Sequence, residues 1–375
     1  MAVHRSRTSW APLLVLFSLF APSLRAAYLD PAQLEADYRA VLGLWAQSDP
    51  RAVPELVKFE SSVIEDKDPR TREILHKAEQ RVISEAAGVD LEVLVPLSIL
   101  HQEAYRHYAA HGGIGAAQVA THDRTLALDL ALLYKQHVGT PEASALASRL
   151  IARLASVSTD SFQAAKLFEL ASQADAKNGV SFLGLATVFE KSGNYEDAVA
   201  ALQRMRDNDP QSLAKFPEAT LRLGLCLARL GRESEATKLL SPLAQNGPAD
   251  WIGLLAAQEL ARLEMGMKRP ERAEKVLRAA LGKFPRSARL TLQLASVLDA
   301  KGAQQEARTV LDGLAEIRSD AEDDSRYRYN RFSQELFDDA ERVVEPAGKQ
   351  RLAVLAASLS TAGAAAPAPA DGVAR

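Results

Sequence analysis

Cysteine is nearly absent. Cys226 is the only one in 375 residues, so no intramolecular disulfide can staple the fold. A single thiol inside a helical pattern is compatible with an oxidising compartment. Aromatic residues are also scarce, at 6%, although 47% of the chain is hydrophobic. A core drawn mainly from alanine and leucine suits close helix–helix contact better than sheet packing. Glycine (20) and proline (17) are too few for a disordered chain, and several stand where helices should start or stop. There is no excess of positive charge either: 45 basic side chains face 48 acidic ones, a net of −3. Non-specific nucleic-acid binding needs a basic surface that releases counterions from phosphate, so no nucleic-acid partner is expected. Beyond residue 20 no hydrophobic run approaches the roughly 20 residues that span a bilayer. Finally, the chain has no Gly-x-Ser-x-Gly, no Cys/His nucleophile pair and no closely paired carboxylates on a plausible cleft. Nothing in the sequence asks for enzymatic chemistry, and no catalytic residue, metal ligand or cofactor is assigned.

What is present begins with a leader-like segment, residues 1–26. His4, Arg5 and Arg7 form a polar, positive start, and Ala11 to Phe20 is an apolar run interrupted by Pro12 and Ser18. Ser23-Leu24-Arg25-Ala26 offers a small-residue cleavage site. The apolar run is too short to make a comfortable anchor. Arg5 and Arg7 are not adjacent, which disfavours a twin-arginine signal, and no cysteine follows for lipid attachment. The expectation is a cleaved secretory signal and a mature chain that is periplasmic in a diderm host, with no membrane span after cleavage.

Residues 27–138 read as a helical N-terminal module. Asp30-Pro31, Asp49-Pro50 and Asp68-Pro69 recur 19 residues apart. Asp is a good N-cap, and Pro at the first helical position loses no hydrogen bond. Helical stripes follow each pair: Leu34, Tyr38, Val41, Leu42 and Trp45; then Val53, Leu56, Val57 and Ile64; then Ile74, Leu75, Ala78 and Val82. Asp90 opens a longer helix to about His111, with Pro96 in its second turn, where a kink is expected. Gly112–Gly115 is a turn, and another helix covers about 116–137 before Gly139 stops it. Thr140-Pro141-Glu142 supplies an N-cap, a first-position proline and an acidic first turn for the next.

From there the chain repeats. In 179–212, Phe182, Leu185, Ala186 and Phe189 share one helical face, Gly193-Asn194 breaks the helix, and Tyr195, Ala198, Leu202 and Met205 line a second. Ala164, Ala198, Ala236, Ala273 and Ala307 occupy one small-residue slot, separated by 34, 38, 37 and 34 residues. With this register, residues 145–321 resemble the tetratricopeptide repeat (TPR) family, whose period is 34. The resemblance covers roughly half the chain. It implies an all-α fold, a right-handed α-solenoid of about five helix hairpins over 140–321. Capping helices are expected over 322–360 and a disordered Ala/Pro-rich tail over 361–375.

Members of that family usually bind a peptide or partner helix in a concave groove lined by their first helices. Transferred residue by residue, the groove positions here are Arg149, Arg153, Leu183, Thr187, Lys191, Leu221, Leu225, Arg229, Arg262, Leu292 and Ser296. The carboxylate-clamp subtype's Asn slots hold Arg153, Thr187, Leu225, Arg262 and Ser296 instead, so a chaperone C-terminus is a poor ligand. A half-apolar groove with spaced arginines suits an extended or helical segment carrying leucines and carboxylates. The expected function is thus an exported, non-enzymatic scaffold that binds a protein or peptide partner in the cell envelope.

The second reading is a metal-binding or hydrolytic protein using helices 90–138. His101, His107, His111, His122 and His137 crowd into 37 residues, and His107 and His111 stand at i, i+4. The pattern His-Gln-Glu-Ala-Tyr-Arg-His is not His-Glu-x-x-His, and interhelical hydrogen bonding is the commoner use of such histidines. Gly112–Gly115 lacks the Lys and Ser/Thr of a phosphate loop. The basic-aromatic run Arg326–Arg331 follows Asp320, Glu322, Asp323 and Asp324, which offset its charge.

Overall fold

The helix starts are written in short polar side chains. Asp30 accepts a hydrogen bond from the Ala32 amide at 3.0 Å, and Asp160 accepts one from Gln163 at 3.0 Å. Asp250 accepts from Ile252 and Gly253 at 3.0 and 3.1 Å. Each satisfies a first-turn N–H that the helix cannot. A computed structural model describes residues 29–64, 69–111, 116–247, 250–316 and 334–365. The leader, the Gly112–Gly115 turn, the Arg326–Arg331 run and the tail from 366 lie outside the described residues. Among those described, every regular element is helical.

Contacts divide the chain into two units, residues 1–143 with 344–375, and residues 144–343. The first unit contains α1 (Pro31–Ala46), α2 (Ala52–Ile64), α3 (Pro69–Val89), α4 (Leu94–His111) and α5 (Ala116–Val138). Helix α1 packs on α2 and α3, α2 reaches α4 and α5, and α4 and α5 form the most extensive pair. Tyr38, Leu42, Leu56, Ile64, Leu75, Leu97, Leu100 and Leu130 are wholly buried in this unit.

Two starts differ from the sequence expectation. Asp49 caps a turn by accepting from the Arg51 amide at 2.9 Å, and α2 begins only at Ala52. A 3-10 turn, Leu91–Val93, precedes α4. Pro96 therefore falls in the first turn of α4, where no intrahelical bond is lost. Its carbonyl accepts the Trp45 indole N–H at 2.8 Å.

The second unit is a run of helix hairpins. They are α6 (Pro141–Ser156, entering this unit at Ser144) with α7 (Ser161–Ala174), and α8 (Gly179–Lys191) with α9 (Tyr195–Asn208). After the one-turn α10 (Ser212–Lys215) come α11 (Pro217–Arg229) with α12 (Glu233–Asn246). The last pairs are α13 (Trp251–Gly266) with α14 (Pro270–Lys283), and α15 (Ala288–Ala300) with α16 (Gln304–Asp312). Helix α10 absorbs the residues that stretch one interval of the alanine register to 38.

The alanine slot is the reason the hairpins close. Ala164, Ala198, Ala236 and Ala273 are 0% exposed and Ala307 is 5%, so the second helix has no side chain there to hold the first away. Glycine serves the same end on the first helices. A Cβ on Gly184 would lie inside the Phe168 ring, and one on Gly224 would meet Leu240 Cδ2 at 2.7 Å. Gly184→Ala is expected to cost about 1–3 kcal/mol through overpacking, read as a lower denaturant midpoint at unchanged m-value. The turns are built on left-handed backbone: Gly193 (φ 77°), Gly231 (φ 73°) and Gly302 (φ 80°), with Lys268 (φ 57°) in the same role between α13 and α14.

The last helix, α17 (Gln334–Ala365), departs from expectation in two respects. It runs unbroken through Pro346 as one helix where separate capping helices are expected, and it continues to Ala365, into the segment expected to be disordered. A proline inside a helix forfeits a hydrogen bond and crowds the carbonyl four residues back. Packing offsets that cost: Val344 and Leu355 are buried, and Gly348 lies so close to Ile99 that a Cβ would clash. Arg351 pairs with Glu92 in the same unit. From Val344 onward this helix belongs to the first unit rather than to the repeat array it is expected to cap.

Candidate functional site

The described first helices of the repeat unit present a polar cleft of about 450 Å³. Its walls come from Glu190 and Lys191 on α8, Arg222, Leu225 and Arg229 on α11, Leu255, Gln258 and Glu259 on α13, Arg289 on α15, and Tyr195 at the start of α9. Four successive hairpins thus contribute their first helices. The lining carries four cationic and two acidic side chains.

The electrostatic centre is Arg222, 1% exposed, which donates to Glu218 Oε1 and Glu190 Oε2, both at 2.7 Å. Burial opposes its charge, but the two carboxylates outweigh burial and raise its pKa above the ordinary arginine value. Glu190 moves the other way for a carboxylate: burial raises its pKa, and Arg222 only partly counteracts this. Burial, with the Arg222 charge beside it, lowers Lys191. Arg229 is exposed at the rim. The Gln258 amide nitrogen is buried without a partner. Cys226 is also buried, and desolvation pushes its thiol up to about 12, so it offers no thiolate chemistry.

The residues assigned from sequence divide into three groups. Lys191, Leu225 and Arg229 line the cleft together. Leu183 and Leu221 are 2% and 0% exposed and belong to the core. The reason is that interior hairpins are covered on both sides: α8 is buried continuously from Gly179 to Val188, and only its last turn emerges. Thr187 is likewise buried, its hydroxyl donating to the Leu183 carbonyl at 2.8 Å. Arg153 is buried and paired with Glu341 at 2.9 Å. Arg149 is partly buried, and Arg262 and Leu292 are exposed but outside the cleft lining. Arg262 pairs with Glu259 of the lining at 2.9 Å. Glu190, Arg222, Glu259 and Arg289 do not stand out in the sequence. An arginine four residues from Glu218 on a leucine-rich face is the available sign of an intrahelical pair.

The histidines fall elsewhere, in the first unit. His107 and His111 stack at 4.5 Å between ring centroids, and His111 and His137 are exposed. His101 and His122 enter two separate clusters. His101 Nδ1 lies 2.7 Å from Asp123 Oδ1 and 3.6 Å from Glu60 Oε1, while its Nε2 meets the Tyr38 hydroxyl at 2.8 Å. His122 Nε2 lies 2.7 Å from Glu79 Oε2, with the His76 ring edge-on at 5.9 Å between centroids. The acids of these clusters have a sequence signature that reading for apolar stripes overlooks. Glu60 stands between Leu56 and Ile64, Glu79 between Leu75 and Ile83, and Asp123 between Val119 and Ala127, each four residues from buried neighbours.

The profile described as "Tetratricopeptide repeat" matches residues 149–212, 183–250 and 259–322. The chain carries tetratricopeptide repeats. Among solved structures it is similar to "Crystal structure of MamA", at 19% identity and TM-score 0.38, over 42% of this chain and 88% of that one. It is also similar to "MamA 41-end from Desulfovibrio magneticus RS-1", at 16% identity and TM-score 0.41, over 46% and 94%. No curated protein matches the sequence. The TPR array makes the chain an all-α solenoid protein of the protein–protein interaction class. Among the described residues no helix is long and apolar enough to cross a membrane.

Proposed function

We propose that the chain is an exported scaffold whose TPR cleft binds an acidic, leucine-bearing segment of a partner protein in the bacterial cell envelope. The observation that carries this reading is the cleft itself. Lys191, Arg229 and Arg289 line it beside two apolar side chains, Leu225 and Leu255, on the first helices of four consecutive hairpins, with Arg222 behind them already paired to Glu190 and Glu218. Guanidinium groups pair with carboxylates in a bidentate fashion, so they favour Asp or Glu in the ligand. The leucines supply the apolar contact that gives such a segment its anchor. The leader-like pattern of residues 1–26, with its positive start, apolar run and Ala26 site, supports export to the periplasm.

Site-specific photo-cross-linking in the host tests both parts. A photoreactive residue at Leu225 is expected to capture a discrete partner in the periplasmic fraction. The same probe at exposed Lys238, on the second helix α12, is expected to capture none. Adding Arg229→Glu should suppress the Leu225 adduct. Equal capture from both positions, or a chain confined to the cytoplasmic fraction, would sink the proposal.

A further inference from the structure

Each of the helices α1–α5 sends one or two polar groups into a pair of clusters: Tyr38 from α1, Glu60 from α2, His76 and Glu79 from α3, His101 from α4, and His122 with Asp123 from α5. Glu60, Glu79, His101 and Asp123 are each 0% exposed. Three carboxylates in so dry a place need partners, because a buried charge without one is costly. The partners present are too few. Both oxygens of Glu60, Oε1 of Glu79 and Oδ2 of Asp123 are buried with no hydrogen-bond donor.

The donors also have the arrangement of ligands. Glu60, His101 and Asp123 offer one oxygen or nitrogen each, all within 4.8 Å of one another, and His76, Glu79 and His122 do the same. An ion bound at about 2.0–2.2 Å by imidazole and carboxylate fits such a triad with small side-chain adjustments. Bundle cores hold metals in this way, with inward side chains from facing helices. His101 has the outer support that metal-bound imidazoles commonly show. With Nδ1 on the ion, its Nε2–H is free to donate to the Tyr38 hydroxyl 2.8 Å away.

We propose that these two triads bind two divalent transition-metal ions, one on Glu60–His101–Asp123 and one on His76–Glu79–His122. Mixed imidazole and carboxylate donors with no thiolate suit Zn²⁺, Fe²⁺ or Mn²⁺. The two cations neutralise the buried carboxylates and tie α2, α3, α4 and α5 together, with α1 joined through the Tyr38–His101 hydrogen bond. The stacked surface pair His107–His111 is not part of the site.

The test uses the full chain purified without a histidine tag and loaded with Zn²⁺, with Mn²⁺ and anaerobic Fe²⁺ as comparators. After loose metal is removed, elemental analysis is expected to find two equivalents of at least one of these ions. Asp123→Asn should lower the count to one, Glu79→Gln should lower it to one, and the pair together should abolish binding. His107→Gln with His111→Gln should leave two. X-ray absorption of the loaded wild-type chain reads the same claim without a variant: a nitrogen/oxygen shell at about 2.0–2.2 Å with imidazole scattering is expected. Fewer than two equivalents in the wild type overturns the assignment. So does a count unchanged by both triad variants, binding lost with the His107/His111 pair, or an absorption shell without imidazole.

Discussion

Arg222→Ala is expected to destabilise the chain by about 3–5 kcal/mol, because it leaves two carboxylates facing each other in the core without their cation. Glu218 is 3% and Glu190 13% exposed at the side chain, so water rescues neither fully. Chemical denaturation of the repeat unit within the full chain is the measurement. The loss belongs to the stranded charges rather than to the missing attraction, and this makes a second result predictable. Combining Arg222→Met with Glu190→Gln and Glu218→Gln should recover much of the stability, since a buried ion-pair network and a well-packed neutral replacement are commonly close in energy. If Arg222→Ala costs less than about 1 kcal/mol, the range of an ordinary exposed pair, the three side chains are not coupled as described.

Phe168→Ala is expected to cost a comparable 3–5 kcal/mol, for a different reason. Phe168 is 0% exposed and fills the gap that Gly184 leaves between α7 and α8. Removing the ring empties a space that neighbouring helices cannot close without shifting the hairpin stack. The same geometry predicts coupling. Phe168→Leu combined with Gly184→Ala should cost less than the sum of the two single changes, because the added methyl occupies volume that the ring vacated. A unit that tolerates Phe168→Ala with little change would mean that α7 and α8 are not held by this contact.

Much of the repeat unit is legible in the sequence because its constraint is steric and periodic. An alanine that must be small recurs in register, so Ala164 through Ala307 mark five hairpins by spacing alone. Turn glycines are legible for a related reason, although Lys268 carries one turn in the left-handed conformation without that signal. The cleft is legible only in part. Slot transfer names Lys191, Leu225 and Arg229, which line one cleft, together with Leu183 and Leu221, which are buried. Whether a first-helix residue emerges depends on how completely the neighbouring hairpins cover it, and that is a property of the stack. The course of α17 through Pro346 is hidden, since its support comes from Ile99, nearly 250 residues away in sequence. The buried triads are hidden by position: the histidines draw attention to helices 90–138, whereas Glu60 and Glu79 sit earlier, on faces that read as apolar.

The central claim is that the cleft recognises acidic, leucine-bearing segments, and peptide selection tests it most directly. Random peptides displayed against the full chain should converge on sequences that carry leucine together with Asp or Glu. The affinity of a selected peptide should fall at least tenfold, about 1.4 kcal/mol, in the Leu225→Glu/Arg229→Glu variant, and should weaken as salt rises. Selected peptides that lack acidic residues, or that bind the variant as tightly as the wild type, would contradict this recognition.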